Sequence, residues 1–353
     1  MLGIVLVNYN TSALSVRCLR SILSSRDTGP LRIEIIDNST DAGQRDILRN
    51  ALPDIRDVVI HLSTMETNVG FAAGCNSGIA ALLADPVVDR ILLINNDAEL
   101  RPGGLEALLD YATSHPDADM FGASMHCMDD PSRIDSLGIA MYASGLASNR
   151  KQATDRLLGP TGGLALYSRK LLETVRDHHG SIFDERFFCY AEDTDLALRA
   201  LLLGFKPAFL DRCVALHEGQ ASSGGGFSDF VLYHGIRNSI WTLLKTFPAA
   251  LLWPLAPVIM TLHAGIVVRH TLAGRGRVVW RLYRDALRGA PEMWRSRRVI
   301  QRQRAIRARA LWRHVTPRFY DRDYLRNAWH DLWHPHANAA DAAGRGTRSE
   351  RKP

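Results

Sequence analysis

The chain opens with GIVLVNY, a continuous apolar run rich in β-branched residues that ends in polar ones. That is the pattern of a strand buried on both faces. TSALSVRCLRSILSS follows, with apolar residues at helical spacing behind a Thr/Ser start able to cap a helix. The alternation continues. LRIEIIDNS and VVIHLS predict strands, FAAGCNSGIAALLA a helix, RILLINND another buried strand and GLEALLDYATSH a helix. Strands alternating with helices predict an α/β fold, a parallel sheet with helices on both faces. Ligands gather at the carboxyl ends of such strands, and Asn8, Asp37 and Asp97 each stand at one. Further on, GPTGGLALYSRKLLETV predicts a glycine loop, a strand and a helix. AEDTDLALRALLLGFKPAFL predicts a helix then a strand, and SDFVLYHGIRNSIWTLLKTF a helix.

From Pro248 the pattern changes. Ala249 to Val268 is 20 residues without a formal charge, long enough to cross a bilayer. Its two prolines and His263 favour interfacial or re-entrant attachment over a true span; a buried helical hairpin is a third option. The sequence that follows, to about Val315, interleaves Arg with Trp, Tyr and Leu, a mixture suited to a lipid headgroup layer. Charge divides at the same place. From Arg269 onward there are 21 Lys and Arg against seven Asp and Glu, leaving 22 against 30 before it. An arginine-rich tail seeks anionic phosphates, in nucleic acid or on the cytoplasmic face of a membrane. No nucleic-acid reader motif is present, and the apolar segment before the tail fits lipid better, so no nucleic-acid partner is expected. The last stretch, from about His336, is rich in Ala, Gly, Arg and Ser and is predicted to be disordered. Five scattered cysteines without a C-x-x-C spacing predict reduced thiols, not a disulfide framework or a zinc site. The N-terminus has no basic region and no long apolar core, so it reads as a strand and not as a secretory signal.

Candidate chemistry centres on FFCYAEDTDLALRA, where Glu192, Asp193 and Asp195 crowd behind an aromatic run. Like charges in a partly desolvated site raise one another's pKa, which suits a catalytic or cation-binding site. The plainer alternative is acids at a helix N-terminus. IIDNSTDAG places Asp37 and Asn38 where they can meet a base edge or a ribose, or simply initiate a turn. NYNTSALSVRCLRS, between the first strand and helix, lacks G-x-G-x-x-G, which argues against a dinucleotide-binding dehydrogenase. TNVGFAAGCNSG gathers Asn68, Gly70 and Asn76 around a helix start, where glycines allow close approach and the dipole favours an anion. LLINNDAEL ends a strand with Asn95, Asn96 and Asp97, and a rigidly held carboxylate suits Mg2+ or Mn2+. HEGQASSGGG puts His217 beyond the strand FKPAFL.

In this order, VNYN, IIDNSTD, TNVGFAAGCNSG, LLINNDAEL, GPTGGLALYSR, DERFFCYAEDTDLALRALLLGFK and HEGQASSG resemble the successive motifs of family 2 inverting glycosyltransferases, over about residues 3 to 245. The similarity extends to rhamnosyltransferase-like and galactofuranosyltransferase-like bacterial members, which lengthen lipid-linked or cell-wall polysaccharides from sugar nucleotides. The resemblance implies a GT-A fold, a Rossmann-like mixed sheet, over residues 1–246, with a nucleotide half to about 100 and an acceptor half beyond. Residues 247–335 would be a helical membrane-associating region and 336–353 a disordered tail. It also implies roles. Asp193 would be the general base, with Glu192 positioning the acceptor or tuning the base; Asp195 would cap the helix and pair with Arg199. Asp37 would bind the base, with Asn8 and Asn38 near the nucleoside. Asn68, Gly70 and Asn76 would line the donor pocket. The family's metal motif, often Asp-x-Asp, reads Asn95-Asn96-Asp97 here. Asp97 keeps the metal position with His217 as second ligand, and Asn95 can still reach a ribose. Thr161, Gly162, Gly163 and Tyr190 would shape the acceptor or sugar pocket, and Arg237 would face the leaving diphosphate or else sit in a surface salt bridge. The implied partners are a nucleoside-diphosphate sugar, first among them dTDP-rhamnose, a polysaccharide or lipid-linked glycan acceptor, and an anionic membrane surface on the cytoplasmic side. The missing first acid leaves a second reading, a catalytically weakened scaffold at the membrane.

Overall fold

A computed structural model of the protein describes residues 1–25, 29–219 and 228–322. The expected disordered tail, the last part of the basic region and the glycine-rich run after Gly219 lie outside the described residues. The first half alternates as its pattern predicts: β1 (Leu2–Asn8), α1 (Ser12–Leu23), β2 (Leu31–Asp37), α2 (Ala42–Asn50), β3 (Val58–Thr64), α3 (Gly70–Leu83) and β4 (Arg90–Asn95). Then come β5 (Ala98–Leu100), α4 (Gly104–Ser114), β6 (Met120–Cys127), β7 (Ile134–Ser136), β8 (Ile139–Tyr142), β9 (Ala147–Asn149), β10 (Leu164–Ser168), α5 (Arg169–His179), α6 (Glu192–Leu202) and β11 (Pro207–His217). The main sheet runs β3-β2-β1-β4-β10-β6-β11-β5, with β7 beside β6. β1 to β4 are mutually parallel, whereas β10 enters antiparallel against β4 and β6, making the sheet mixed. Alternate strand residues feed two cores. Val5, Ile91, Leu93 and Ala165 pack with α3, α5 and α6 on one face. Ile4, Leu6, Leu92, Ile94 and Leu166 pack with α1 and α4 on the other. The period of two, applied to strands buried on both faces, produces this division.

The C-terminal helices follow and pack on this body. α7 (Asp229–Thr246), α8 (Ala249–His270) and α9 (Gly276–Arg302) are followed by α10 (Ala308–Trp312) and β12 (Val315–Thr316). The Tyr233 hydroxyl donates to Asp285, the Trp241 indole N–H to the Ala286 carbonyl, and Arg297 to the Leu244 carbonyl. These contacts climb both helices together, so α7 and α9 run parallel and pack on each other, with α8 as the returning connection in the chain. β12 pairs with β8, and Arg156 donates to the carbonyls of Trp312 and Val315. The region after 246 is therefore part of the body, not an appended module. Nor is α8 a buried hairpin. Ile259 is its one buried residue, and Trp253, Met260, Val267 and Val268 face outward. The segment Ala249–Arg302 is long and apolar enough to cross a membrane by length and composition. It is kinked at Gly274, whose φ of 77° is left-handed. All five cysteines are free.

Candidate active site

The strand ends do converge. Asn8 is in register with Asp37 across β1 and β2, and Val7 with Asn95 across β1 and β4. Asn8 is fully buried and does not reach open space; it cross-links the edge instead. Its amide lies 2.9 Å from Asp37 Oδ1 and 2.9 Å from Ser39 Oγ, and its carbonyl oxygen accepts from Ser15 Oγ at 2.7 Å. Asn96 extends the network by donating to Thr11 Oγ1 at 2.7 Å and Ser15 Oγ at 3.0 Å. Two acceptors on this edge are buried with no partner, Asp37 Oδ2 and Asn38 Oδ1. A buried acceptor without a donor costs about 1–3 kcal/mol, and of the two residues Asn38 lines the cavity, where water or a ligand with N–H or O–H groups can reach it.

The loop before α6 is held by different means. Phe188, Tyr190 and Ala191 all have left-handed φ, between 65° and 68°, a conformation that costs non-glycine residues about 1–3 kcal/mol each unless the surroundings fix it. Here they do. Asn238 on α7, fully buried, donates to the carbonyls of Phe187, Cys189 and Tyr190 at 2.8–2.9 Å. Arg237 beside it donates to the carbonyls of Arg186 and Phe187 and stacks on Tyr233 and Trp241. Arg237 thus neither faces a diphosphate nor forms a surface salt bridge; it is buried as a clamp on this loop. Asn238, next to it in IRNS, went unread because its role depends on carbonyls some 50 residues away. Gly70 completes the clamp. At its φ of 86°, an added Cβ would lie 2.6 Å from both the Phe188 ring and carbonyl, and Ala72 N–H donates to that carbonyl at 3.1 Å. Asn68 caps the turn by accepting from Gly70 N–H at 2.9 Å. Asn76 is corrected likewise. It does not line the cavity, and its amide brackets the backbone of Phe183 on both sides.

This loop delivers α6 with Glu192 and Asp193 in its first turn. Asp193 Oδ2 accepts from Gly162 N–H at 2.9 Å and Oδ1 from Thr194 N–H at 2.6 Å. Burial pushes its carboxyl above the usual range, and those hydrogen bonds pull only partly against it. Glu192 is buried with Oε2 unpartnered. Burial, reinforced by the Asp193 charge, pushes it up to about 8, so it holds a proton at neutral pH. Asp195 is not the expected cap. It is fully buried, paired with Arg199 at 2.8 Å as foreseen and also with Lys245 at 3.0 Å. Lys245 also pairs with Asp184 at 2.5 Å, tying α6 and the preceding loop to α7.

His217 is the last residue of β11 and not beyond it; pairing with Ala98 on β5 brings it to Asp97. Nε2 stands 3.1 Å from Asp97 Oδ1, and Nδ1 stands 2.8 Å from Asp135 Oδ2. Burial alone would lower the imidazole pKa, but the two carboxylates raise it to about 10. Asp135, on β7, had no signal in the sequence. One carboxylate and one imidazole, the latter oriented by a second carboxylate, would suit a divalent cation that displaces the Nε2 proton and takes its remaining oxygens from a substrate. The described residues hold no cluster of three metal-ligating side chains, so the donor set fits a cation shared with a ligand and not a closed protein cage.

One cavity of about 860 Å3 joins these parts. Asn38, Asn68, Asn95, Asn96, Asp97 and His217 line one side, and Glu192, Asp193 and Tyr190 another, with Thr161, Gly162 and Gly163 between them. The Gly163 carbonyl accepts from Asn95 N–H at 3.0 Å, joining both sides. Asn8 and Asp37 stand behind the wall.

The family model "Glycosyltransferase like family 2" matches residues 2–228. A relative from Mycobacterium tuberculosis, strains CDC 1551 and H37Rv, is N-acetylglucosaminyl-diphospho-decaprenol L-rhamnosyltransferase. It is 26% identical over 302 residues, covering 78% of this chain and 93% of its own. Among solved structures, the mannosyltransferase PcManGT from Pyrobaculum calidifontis, in complex with GDP-Man and Mn2+, superposes with a TM-score of 0.51 at 15% identity over 86% of this chain and 85% of that one. GalNAc-T7 with UDP, GalNAc and Mn2+ superposes with a TM-score of 0.53 at 13% identity, over 73% of this chain and 49% of that one. The fold is that of GT-A glycosyltransferases, and the chain belongs to glycosyltransferase family 2.

Proposed function

We propose that this glycosyltransferase moves a sugar, rhamnose first among the choices, from a nucleoside diphosphate to a lipid-linked glycan with inversion, at the cytoplasmic membrane surface. The observation that carries the reading is the shared cavity, in which a desolvated Asp193 stands across from a polar edge with unfilled acceptors. Asn38, which lines the cavity, would accept a hydrogen bond from the base, while Asp37, buried behind it, holds Asn8 and the Ser39 N–H and does not meet the base itself. Asp193 takes the proton of an acceptor hydroxyl as that oxygen bonds to the anomeric carbon; the bond from that carbon to the diphosphate breaks, and the diphosphate leaves with its electron pair. One displacement inverts the centre without a covalent nucleophile. Protonated Glu192 adds a hydrogen-bond donor beside the base and keeps the local charge at minus one. Asp97 and His217 would hold Mn2+ or Mg2+, whose chemistry there is neutralisation of charge on the departing diphosphate. Rhamnose and a lipid-linked acceptor are supported by the mycobacterial relative.

Calorimetric titration of the purified protein with UDP, dTDP and GDP, with and without Mn2+, tests the donor. Metal-dependent binding of one pyrimidine nucleotide supports the reading. Binding without turnover on any lipid-linked acceptor favours the scaffold alternative, and no binding by folded protein removes the donor site. Membrane attachment would rest on the exposed faces of α8 and α9. Trp253, Met260 and Val267 recur every seven residues on one, and Trp280, Leu287 and Trp294 on the other, among exposed arginines such as Arg281, Arg288 and Arg295. Apolar anchors flanked by cations suit an anionic lipid surface. Truncation after Thr246 would strip α9 from α7, so the surface triple substitution Trp280→Ser, Leu287→Ser, Trp294→Ser is the cleaner probe. It is expected to reduce co-flotation with phosphatidylglycerol vesicles without changing the melting temperature; unchanged flotation refutes the α9 part.

A further inference from the structure

The cavity does not end at the carboxylates. Beyond Tyr190 its wall is made by α7 and α8 and turns apolar, with Leu232 and Ile236 from the first and Leu262 and Ile266 from the second. Donor and sugar chemistry uses none of these residues. At about 860 Å3, the space is near the top of the ~300–1,000 Å3 range of ligand pockets, which leaves room for more than a sugar nucleotide. The occupant of the apolar part must be continuous with a group that reaches Asp193, because both line one space. It must also approach from the side where α8 presents Trp253, Met260 and Val267 outward. The wall turns basic near the start of α7, where Arg275, also lining the cavity, pairs with Asp229 at 3.5 Å. An apolar chain, an anionic linkage and a hydroxyl-bearing sugar in one molecule meet all three conditions.

We propose that the wall between α7 and α8 seats the first isoprene units of a polyprenyl-diphosphate-linked acceptor, so that the enzyme reads the lipid as well as the sugar. The inference rests on the lipid-linked acceptor reading above and adds a binding subsite to it. An acceptor held there enters along α8, and its sugar is directed at the base from the apolar end of the cavity. Recognition of the chain then contributes to acceptor affinity independently of membrane attachment, because the subsite residues Leu262 and Ile266 are not among the outward-facing anchors.

The test uses the full chain and three soluble probes, N-acetylglucosaminyl diphosphates bearing a methyl, a geranyl or a farnesyl group. Binding is read by calorimetry and transfer by release of nucleoside diphosphate from dTDP-rhamnose. The farnesyl probe is expected to bind at least about tenfold more tightly than the methyl probe, since each buried methylene adds a fraction of a decade in affinity. Leu262→Asn and Ile266→Asn are expected to remove most of that ratio, and Ile266→Ala part of it. Both positions are partly exposed, and the alanine variant tests the idea even if the asparagine variants fold poorly. Affinity independent of chain length, or a ratio preserved in all variants, overturns the proposal. So does loss of the chain-length dependence when phosphatidylglycerol vesicles are added without acceptor, which would assign the groove to bilayer lipid. Chain-dependent binding with no rhamnosyl transfer leaves the groove in place and removes the proposed reaction instead.

Discussion

The two sides of the cavity are built by opposite strategies. On the side proposed above for the donor (the other being proposed for the acceptor), regular parallel strands end in Asn8, Asp37, Asn38 and Asn96, linked mainly by hydrogen bonds between short side chains. The parallel register brings these residues together across 29 to 85 positions of sequence. On the acceptor side the backbone is forced into left-handed conformations at Phe188, Tyr190 and Ala191, and charge is buried in Asp195, Arg199, Lys245 and Asp184. Buried ion pairs return little net stability when intact but cost much when one partner is lost. A base needs a raised pKa and a fixed position together, and only a braced, desolvated segment supplies both. A nucleotide needs a rigid edge with open acceptors, which strand ends supply without strain.

That contrast can be broken at its ends. Asp193→Asn should lower transfer by about 10²–10⁴-fold, the usual share of a general base, while nucleotide binding stays within error. Loss of nucleotide binding as well would move Asp193 out of the base role. Lys245→Met leaves Asp184 with Arg186 and Asp195 with Arg199 but removes the link between them, and should destabilise the fold by about 1–3 kcal/mol in denaturant melts. A loss below about 1 kcal/mol would mean that the buried cluster does not brace α6.

Smaller effects sharpen the comparison. Asp37→Asn keeps Oδ1 toward Asn8 but replaces the unpartnered Oδ2 with a donor. Because Asp37 is buried behind the cavity wall, stability should fall by about 1–3 kcal/mol in denaturant melts; an unchanged midpoint would mean that Asp37 does not hold the edge together. Glu192→Gln addresses pH. Its folded pKa, about 8, lies above the ordinary 4.5 of a glutamate. The stabilisation linked to its proton is therefore complete below about 4.5 and is lost as pH rises through about 8. Relative to wild type, Glu192→Gln should gain melting temperature between pH 5 and pH 8, on the order of a few degrees. Parallel melting curves across that window would show that Glu192 is ionised throughout.

Much of the donor side was legible because its signals are local. A β-branched run ending in Asn or Asp marks both a buried strand and its carboxyl end, and the β1–β4 pattern places Asn8, Asp37 and Asp97 on one edge. The acceptor side was legible in composition but not in arrangement. Glu192 and Asp193 announce themselves by crowding, yet Asp195 looks the same in sequence and belongs to an ion cluster. MFGASMHC, now β6, carries glycine, serine and histidine and gives no strand signal, although neighbours on both sides bury it. Asp135 and Asn238 were invisible for the same reason.

The sequence by itself determined the order of elements, the two-faced sheet, the polar strand ends, and the change to apolar and basic composition after Pro248. These follow from side-chain periodicity and charge, which act between near neighbours. Only the tertiary structure decided that Arg237 and Asn76 brace backbone and do not touch the cavity, that Asp135 stands behind His217, and that α8 closes the acceptor side. Those outcomes depend on which carbonyls and carboxylates the folded chain brings within 3 Å of a buried donor. Contacts of that kind join residues 50 to 120 positions apart and leave no periodicity in the sequence that makes them.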